Sequence, residues 1–146
     1  MGSPSGRVFV QMTAREETFK KSERLCSRKI ITGLIENGNI FYLPFYKVIW
    51  SKYDIESPFP AQIAFSVPKR GFRHAVARNL LKRRMREAYR RNKHMLYDFL
   101  SGENIRIAFI VIFRADSVPD YRSIEKSMQE LINRFKTETV KMNKKC

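Results

Sequence analysis

The chain has 146 residues, of which 43% are hydrophobic and 12% aromatic. A chain of this length and composition predicts one domain with its own hydrophobic core and excludes disorder throughout. Its 29 lysines and arginines exceed its 14 acidic residues by 15, and such a net charge repels itself unless a polyanion is nearby. Nucleic acid is therefore the expected partner, and an anionic membrane surface is the second candidate.

The cysteines, the histidines and the apolar runs indicate in which compartment the chain functions and whether it binds a metal ion. Cys26 and Cys146 cannot form a disulfide framework, which favours a reducing cytoplasm. The longest apolar run has seven residues and no signal-peptide pattern opens the chain, so neither secretion nor a membrane span is expected. His74 and His94 have no second ligand at usable spacing, so the sequence predicts no metal site.

The first third of the chain predicts an arm, a short helix and a strand. Residues 1–21 lack periodicity and are expected to form a flexible arm. Apolar residues at helical spacing then predict a helix that Ser27 caps and Asn37-Gly38 ends. The aromatic and β-branched stretch from Ile40 to Trp50 predicts one strand, in which Pro44 indicates an edge position or a bulge. Alternation along this single strand would place three aromatics on one face: Tyr42, Tyr46 and Trp50.

The rest of the chain predicts two more strands and two more helices. Residues 61–67 alternate as a half-buried strand, and a long helix follows from about His74 toward Asn92, with an extension to Leu100 left open. The run 107–113 is apolar on both faces, which is typical of a central strand. Asp120 is the expected cap of the last helix, and residues 137–146 are expected to be a frayed basic tail.

The order of these elements predicts an α+β fold. Helix, two strands, helix, strand and helix describe an α/β sandwich, with helices packed on a central sheet of three to four strands. The fourth strand would fall within the turn-rich residues 51–60. The folded domain is expected to span residues 22–136.

Positive charge is concentrated in one loop and one helix. Eleven basic residues and a single acid, Glu87, lie between Lys69 and Lys93, so this segment carries +10 of the net charge of +15. At about 100° per residue, one side of the helix shows an i, i+4 row of Arg78, Lys82, Arg86 and Arg90, flanked by Asn79 and Arg83. The opposite side is an apolar stripe that would dock on the sheet: Ala77, Leu81, Met85 and Ala88.

This row of like charges favours binding of structured RNA. Like charges at i, i+4 destabilise an isolated helix by roughly 0.2–0.5 kcal/mol a pair, a cost that a phosphate backbone removes. A solvated face would interleave acids, a membrane helix would need a bulkier apolar face, and a basic zipper would need a leucine heptad. A strand and a basic loop precede the helix, unlike the short helix and tight turn of a duplex-DNA reader.

Residues 65–93, FSVPKRGFRHAVARNLLKRRMREAYRRNK, resemble the signature of the protein subunit of bacterial ribonuclease P. The family pattern leads from a strand ending in Phe-Ser, through a basic loop, to Ala-Val-x-Arg-Asn-x-x-Lys-Arg-x-x-Arg-Glu, and its spacing is kept here. Glu23-Arg24-Leu25 and Gly38 are similar to the opening of the family, and residues 121–135 to its closing helix. The resemblance extends over most of the chain.

The resemblance implies a ribonucleoprotein that removes the 5′ leader from precursor tRNA. In that family the RNA subunit holds the catalytic Mg²⁺ and performs the hydrolysis, so no catalytic residue, metal ligand or bound cofactor is expected in this chain. The spacing of residues agrees, because it assembles no nucleophile with a base and no paired carboxylates. The implied partners are the catalytic RNA and precursor tRNA, with no membrane and no obligate protein partner. The family also implies a left-handed βαβ crossover, against the usual right-handed rule.

The resemblance and the charge pattern together name two sets of site residues. The basic set would bind RNA and lower the magnesium requirement: Lys69, Arg70, Arg73, Arg78, Asn79, Lys82, Arg83, Arg86 and Arg90. The second set would line a cleft for the leader beside the first helix: Ile31, Ile35, Tyr42, Tyr46, Trp50, Ala64 and Ser66.

The chain departs from the family pattern at three of its positions. Leu80 replaces the second arginine of Arg-Asn-Arg, which removes one RNA contact and leaves its neighbours to compensate. Ile31 and Ile35 replace phenylalanines of the first helix, so aliphatic contact rather than stacking is expected there.

Two other functions stay open at this point. A ribosome-associated RNA-binding protein would bind ribosomal RNA tightly without affecting tRNA maturation. A DNA-binding regulator would prefer a duplex sequence over folded RNA.

Overall fold

The computed structural model describes residues 19–55, 57–69, 72–115 and 117–145, and describes side chains as far as Lys141. Residues 1–18 of the predicted arm and Arg70 lie outside the described residues. The helices are a short 3₁₀ helix Lys21–Glu23, α1 (Arg28–Asn37), α2 (Ala75–Gly102) and α3 (Tyr121–Lys145). The strands are β1 (Asn39–Tyr42), β2 (Tyr46–Lys52), β3 (Ala61–Ser66) and β4 (Ile107–Phe113).

The four strands form one mixed sheet in the order β1-β2-β4-β3. β1 pairs antiparallel with β2, β2 antiparallel with β4, and β3 parallel with β4. α2 and α3 cover one face of the sheet, and α1 packs on the other. The α+β prediction is confirmed, with β4 in the interior of the sheet as its apolar run indicated. No helix within the described residues is both long and apolar enough to cross a bilayer.

The predicted single strand over residues 40–50 is wrong, because the chain reverses there. The Leu43 N–H donates to the Tyr46 carbonyl (2.8 Å) and the Tyr46 N–H donates back (3.2 Å), so Pro44 lies in a hairpin turn. The turn sets Phe41 opposite Val48. Paired residues share a face of the sheet, so Phe41 faces the α2–α3 side with Tyr46, Val48 and Trp50, while Tyr42 faces the other side.

The crossover from β3 through α2 to β4 is left-handed. The Ile107 N–H donates to the Pro60 carbonyl just before β3 (2.9 Å), while the Ile107 side chain enters the core under α2 and α3. In a strand of L-residues, these two directions place β3 to the right of β4 when α2 is toward the viewer and both strands run upward. The chain therefore crosses from right to left, against the usual rule, as the family resemblance implied.

Aromatic rings fill the core between the sheet and the two long helices. The Phe135 ring lies 4.7 Å from that of Phe109, 5.7 Å from that of Trp50 and 5.2 Å from that of Phe41, all at steep angles. Edge-to-face pairs of this kind add about 0.5–1.5 kcal/mol each beyond their buried area. The predicted stripe of α2 faces this core, with Leu81, Met85 and Ala88 fully buried and Ala77 packed at its margin.

The last helix is longer than its sequence pattern predicts. Asp120 accepts from the Ser123 N–H (3.0 Å), which confirms the expected cap. Hydrogen bonds from Ser123, first from its side chain and then from its backbone, lower the pKa of the Asp120 carboxyl. The predicted fraying after Phe135 is wrong, because α3 continues to Lys145. Thr139 is fully buried and its hydroxyl donates to the Phe135 carbonyl (2.8 Å), so this polar residue packs as part of the helix interface.

A buried ion pair ties the segment before α1 to the middle of α2. Lys93 Nζ lies 2.6 Å from Glu23 Oε1, and both side chains are almost completely buried. The Tyr97 hydroxyl donates to the same oxygen (2.6 Å), and the Lys20 N–H donates to the other (2.8 Å). Burial raises the pKa of Tyr97, so this hydroxyl keeps its proton and stays a donor. The Glu23 carboxylate is thus paired and hydrogen-bonded, which is the condition for burying a charge.

Removing Glu23 is expected to destabilise the fold strongly. Glu23→Ala leaves the Lys93 ammonium buried without its counter-ion, so the free energy of unfolding should fall by about 3–5 kcal/mol in urea titrations. The double variant Glu23→Leu, Lys93→Met removes both charges and should recover most of that loss.

The partly exposed pair Arg134–Glu138 is the matched control for this experiment. Glu138→Ala should change the free energy of unfolding by about 0.5 kcal/mol or less, because a partly exposed i, i+4 pair contributes little. A Glu23→Ala variant as stable as the Glu138→Ala variant would contradict the assignment of a structural role to the buried pair.

Candidate nucleic-acid interface

The predicted row of cations winds around α2 instead of following one line along it. Each i, i+4 step advances by about 40° around a helix, so Arg78 and Arg90 are separated by about 120°. Arg78 lies in the first turn of the helix, close to the loop before it, whereas Arg86 lies further around the helix and is exposed.

The two ends of the row have partners within the chain. Arg78 Nη1 donates to the carbonyls of Phe72 (2.7 Å) and Arg73 (2.9 Å), which holds the basic loop against the first turns of α2. Arg90 forms a bidentate pair with Glu87, and its hydrogen bond lowers the pKa of that carboxyl. Both guanidinium groups are partly buried, so part of their hydrogen-bonding capacity is used inside the protein.

The middle of the row keeps its charge uncompensated. No carboxylate among the described residues lies within ion-pair distance of Lys82, Arg83 or Arg86, and the last two are exposed. We call these three residues the outer cationic patch; exposed Asn79 lies beside it. Neighbouring Arg84 has a different role, because its Nη1 donates to the Pro119 carbonyl (2.7 Å) and ties α2 to the loop before α3.

The basic loop adds charge at the N-terminus of α2. Lys69 and Arg73 are exposed, and Arg70 lies outside the described residues. His74 at the N-cap makes no side-chain capping bond, and the first turn contains no acid. The positive end of the helix dipole therefore adds to the loop instead of being neutralised by it.

A second surface is the part of the sheet that α1 leaves uncovered. α1 packs over Ile49 and Ile110. Two residues further along the strands from Ile49 and Ile110, strand pairing aligns four residues on this face. We call them the open row: Tyr42, Lys47, Ile112 and Ser66. Tyr42 is 52% exposed, and the Arg114 guanidinium lies 4.7 Å from its ring centre.

Several predicted cleft residues border this row. Ala64 is partly buried beside α1, Ser66 belongs to the row, and Ile31 packs partly into the small core under α1. Ile35 is 65% exposed at the C-terminal part of α1. The structure brings these residues to the face that Tyr42 occupies, so their proposed contact with a leader stays open to test.

The prediction that Tyr46 and Trp50 line the cleft is wrong. Tyr46 is completely buried on the opposite face, where its hydroxyl donates to the Ile124 carbonyl (3.3 Å) and burial raises its pKa. Trp50 is 1% exposed and packs on Phe135. Both errors follow from reading β1 and β2 as one strand, since the hairpin reverses which face the even-numbered residues occupy.

Sequence reasoning missed three residues of this surface: Lys47, Ile112 and Arg114. A hairpin centred on Pro44 would have placed Lys47 opposite Tyr42. Alternation along β4 would have placed Ile112 and Arg114 on the same face, although its continuous apolar run hides that alternation. Within the described residues, no three His, Cys, Asp or Glu side chains form a group that could hold a metal ion.

Comparison with known sequences returns one family. The family model described as Ribonuclease P matches residues 19–136. The chain is 39% identical over 119 residues to the ribonuclease P protein component of Porphyromonas gingivalis, which covers 80% of this chain and 85% of that one. It is 31% identical over 129 residues to the ribonuclease P protein component of Chlorobium phaeobacteroides, covering 82% and 88%.

Comparison with solved structures returns the same fold. The RNase P protein of Staphylococcus aureus superposes with a TM-score of 0.62 at 20% identity, covering 77% of this chain and 94% of that one. The RNase P protein of Thermotoga maritima superposes with a TM-score of 0.62 at 22% identity, covering 77% and 96%. At these identities the likeness concerns the arrangement of strands and helices.

The burial of Trp50 predicts a fluorescence result. Trp50 is the only tryptophan of the chain, so its emission should be blue-shifted and resist quenching by iodide. Adding a single-stranded RNA oligonucleotide should leave this emission unchanged. In a Trp50→Phe, Tyr42→Trp variant, the new tryptophan on the open row should be readily quenched. Strong iodide quenching of the native protein would contradict the placement of Trp50 in the core.

Proposed function

The chain belongs to the ribonuclease P protein component family, and from this membership we propose that it is the RNA-binding subunit of a ribonuclease P that removes the 5′ leader from precursor tRNA. In this proposal the outer cationic patch and the basic loop bind the catalytic RNA. The open row of the sheet binds the leader. Hydrolysis and its magnesium ions belong to the RNA subunit, and no residue of this chain is assigned to either.

The observation that carries the proposal is that no carboxylate of the described residues pairs with Lys82, Arg83 or Arg86. These residues extend from a helix whose opposite face is buried in the core, so the backbone positions that carry them are fixed before RNA binds. Arginine presents a planar fork that matches two phosphate oxygens at once. Binding would release the counter-ions condensed on the RNA and relieve the repulsion within the row.

The same charge accounts for a lower magnesium requirement. A catalytic RNA and a precursor tRNA repel each other, and divalent cations ordinarily screen that repulsion. A protein that places fixed cations between the two RNAs replaces some of those ions. The activity of the holoenzyme should therefore depend on the protein most strongly when magnesium is scarce.

The open row suits a single strand of variable sequence. Tyr42 offers an exposed ring on which a base can stack. The Arg114 guanidinium lies 4.7 Å from the centre of that ring, and Lys47 is the strand partner of Tyr42. Ser66 and Ala64, on the edge strand β3, contribute only small side chains to this face. Stacking on an aromatic ring contributes about 1–3 kcal/mol per base and tolerates any base, which fits a leader that differs between precursors.

Reconstitution tests the function directly. Mixing the chain with a bacterial ribonuclease P RNA should stimulate cleavage of precursor tRNA at low magnesium, measured by release of the labelled leader. An absence of stimulation, together with tight binding to ribosomal RNA, would reject the proposal in favour of a ribosome-associated protein. Preference for a duplex DNA over the folded RNA in competition would reject it in favour of a DNA-binding regulator.

The salt dependence of binding tests the patch. If six or more phosphates are engaged, affinity for the RNA should fall about a thousandfold or more between 50 and 200 mM salt. Changing Lys82, Arg83 and Arg86 to Ala should reduce the magnitude of the negative slope of log affinity against log salt by about 0.7–0.9 per lost contact. The control removes three cations of α3: Arg122, Lys126 and Lys141. An equal loss of slope in patch and control variants would contradict the assignment.

Leader binding is expected to depend on Tyr42. Tyr42→Ala should weaken binding of a precursor carrying a leader by about 1–3 kcal/mol and leave binding of mature tRNA unchanged, since one stacking surface is lost. Tyr46→Phe is the matched control, because it changes an aromatic residue of the same hairpin that is buried on the opposite face. Equal binding of the precursor by the wild type and Tyr42→Ala would contradict the assignment of leader binding to this face.

A further inference from the structure

Two aliphatic side chains lie among the basic residues of α2. Val76 is 81% exposed, and Leu80, one turn later, is partly buried. At about 100° per residue, both point away from the stripe that contains Leu81 and Met85, so neither serves the core. Helix propensity alone does not call for a valine at an open position, since it ranks below the straight-chain residues.

These two residues line a shallow depression on α2 together with two arginines. An open space of about 550 Å³ is lined by Val76, Asn79, Leu80, Arg83 and Arg86. Two of these side chains are apolar, one carries an amide that can donate and accept, and two are guanidinium groups. No carboxylate of the described residues pairs with either arginine.

We propose that Val76 and Leu80 form a seat for one unpaired nucleotide of the RNA partner. The base would lie against the two aliphatic side chains, the Asn79 amide would meet its edge, and its phosphate would be held by Arg83 and Arg86. The proposal rests on the proposed function, because it takes the RNA bound by the outer cationic patch as the source of that nucleotide.

The chemistry of the depression favours a nucleotide over other occupants. A paired strand would present phosphates, 2′-hydroxyls and base edges to this face, all of them polar, and none of them would gain from contact with two aliphatic side chains. Bases in loops and bulges of RNA are splayed out and accessible, whereas those within an A-form helix are not. A protein partner would need a larger contact area than two aliphatic side chains provide, and it would have to supply acids for two arginines.

The seat predicts a loss of affinity that does not depend on salt. The double variant Val76→Ala, Leu80→Ala should bind the ribonuclease P RNA about tenfold more weakly at every salt concentration, because it removes apolar contact and no charge. Alanine favours the helix, so the variant should fold, which circular dichroism can verify. Chemical probing of the bound RNA should show one unpaired nucleotide that loses its protection in the double variant alone.

A charge-adding variant and a matched control sharpen the test. Leu80→Arg should fail to tighten binding if a base occupies this position, whereas tighter binding with a steeper salt slope would show a phosphate there and overturn the seat. Val140→Ala, an exposed valine on α3, should leave affinity unchanged.

The experiment separates failure of the seat from failure of the proposed function. One outcome would overturn the seat and leave the function standing. In that outcome the wild-type chain binds the ribonuclease P RNA, the patch variants change the salt slope, and the double variant binds as tightly as the wild type. No binding of the ribonuclease P RNA by the wild-type chain would overturn both.

Discussion

The burial of one face of α2 is the constraint on which both candidate surfaces depend. Leu81, Met85 and Ala88 are completely buried, so the helix cannot rotate without opening the core. The residues on its other side are therefore held toward solvent whatever their charge. The repulsion among them is small per pair, and the hydrophobic core offsets it. A rigid helix thus presents cations at a fixed spacing along its backbone, which lowers the backbone entropy lost on binding.

The same core gives the sheet two different faces. Aromatic packing of Phe135 on Phe41, Trp50 and Phe109 fills the side under α2 and α3. On the opposite side, α1 is only ten residues long and covers part of the sheet. Beyond α1, Tyr42 is exposed and the other three residues of the open row are partly exposed. One sheet supports the cationic helix on one side and a surface suited to single-stranded RNA on the other.

The buried pair of Glu23 and Lys93 connects these two sides. The segment around Glu23 lies along the free edge of β3, where the Leu25 N–H donates to the Ile63 carbonyl (2.9 Å), and then leads directly into α1. Pairing with Lys93 fixes that segment to α2. The position of α1 beside the sheet is thus linked to the helix that carries the patch.

Local patterns in the sequence determined the helices, the apolar stripe of α2, the central strand β4, the cap at Asp120 and the concentration of charge between residues 69 and 93. Each of these depends on neighbours three or four residues away, or on composition alone. The signature in residues 65–93 also identified the family, and with it the hand of the crossover. Only the tertiary structure decided the hairpin at Pro44, the burial of Trp50, the ion pair of Lys93, and which arginines of the row have partners inside the protein. Those outcomes depend on distances between residues far apart in the chain, where a lysine counted as surface charge meets a glutamate 70 positions away and becomes part of the core.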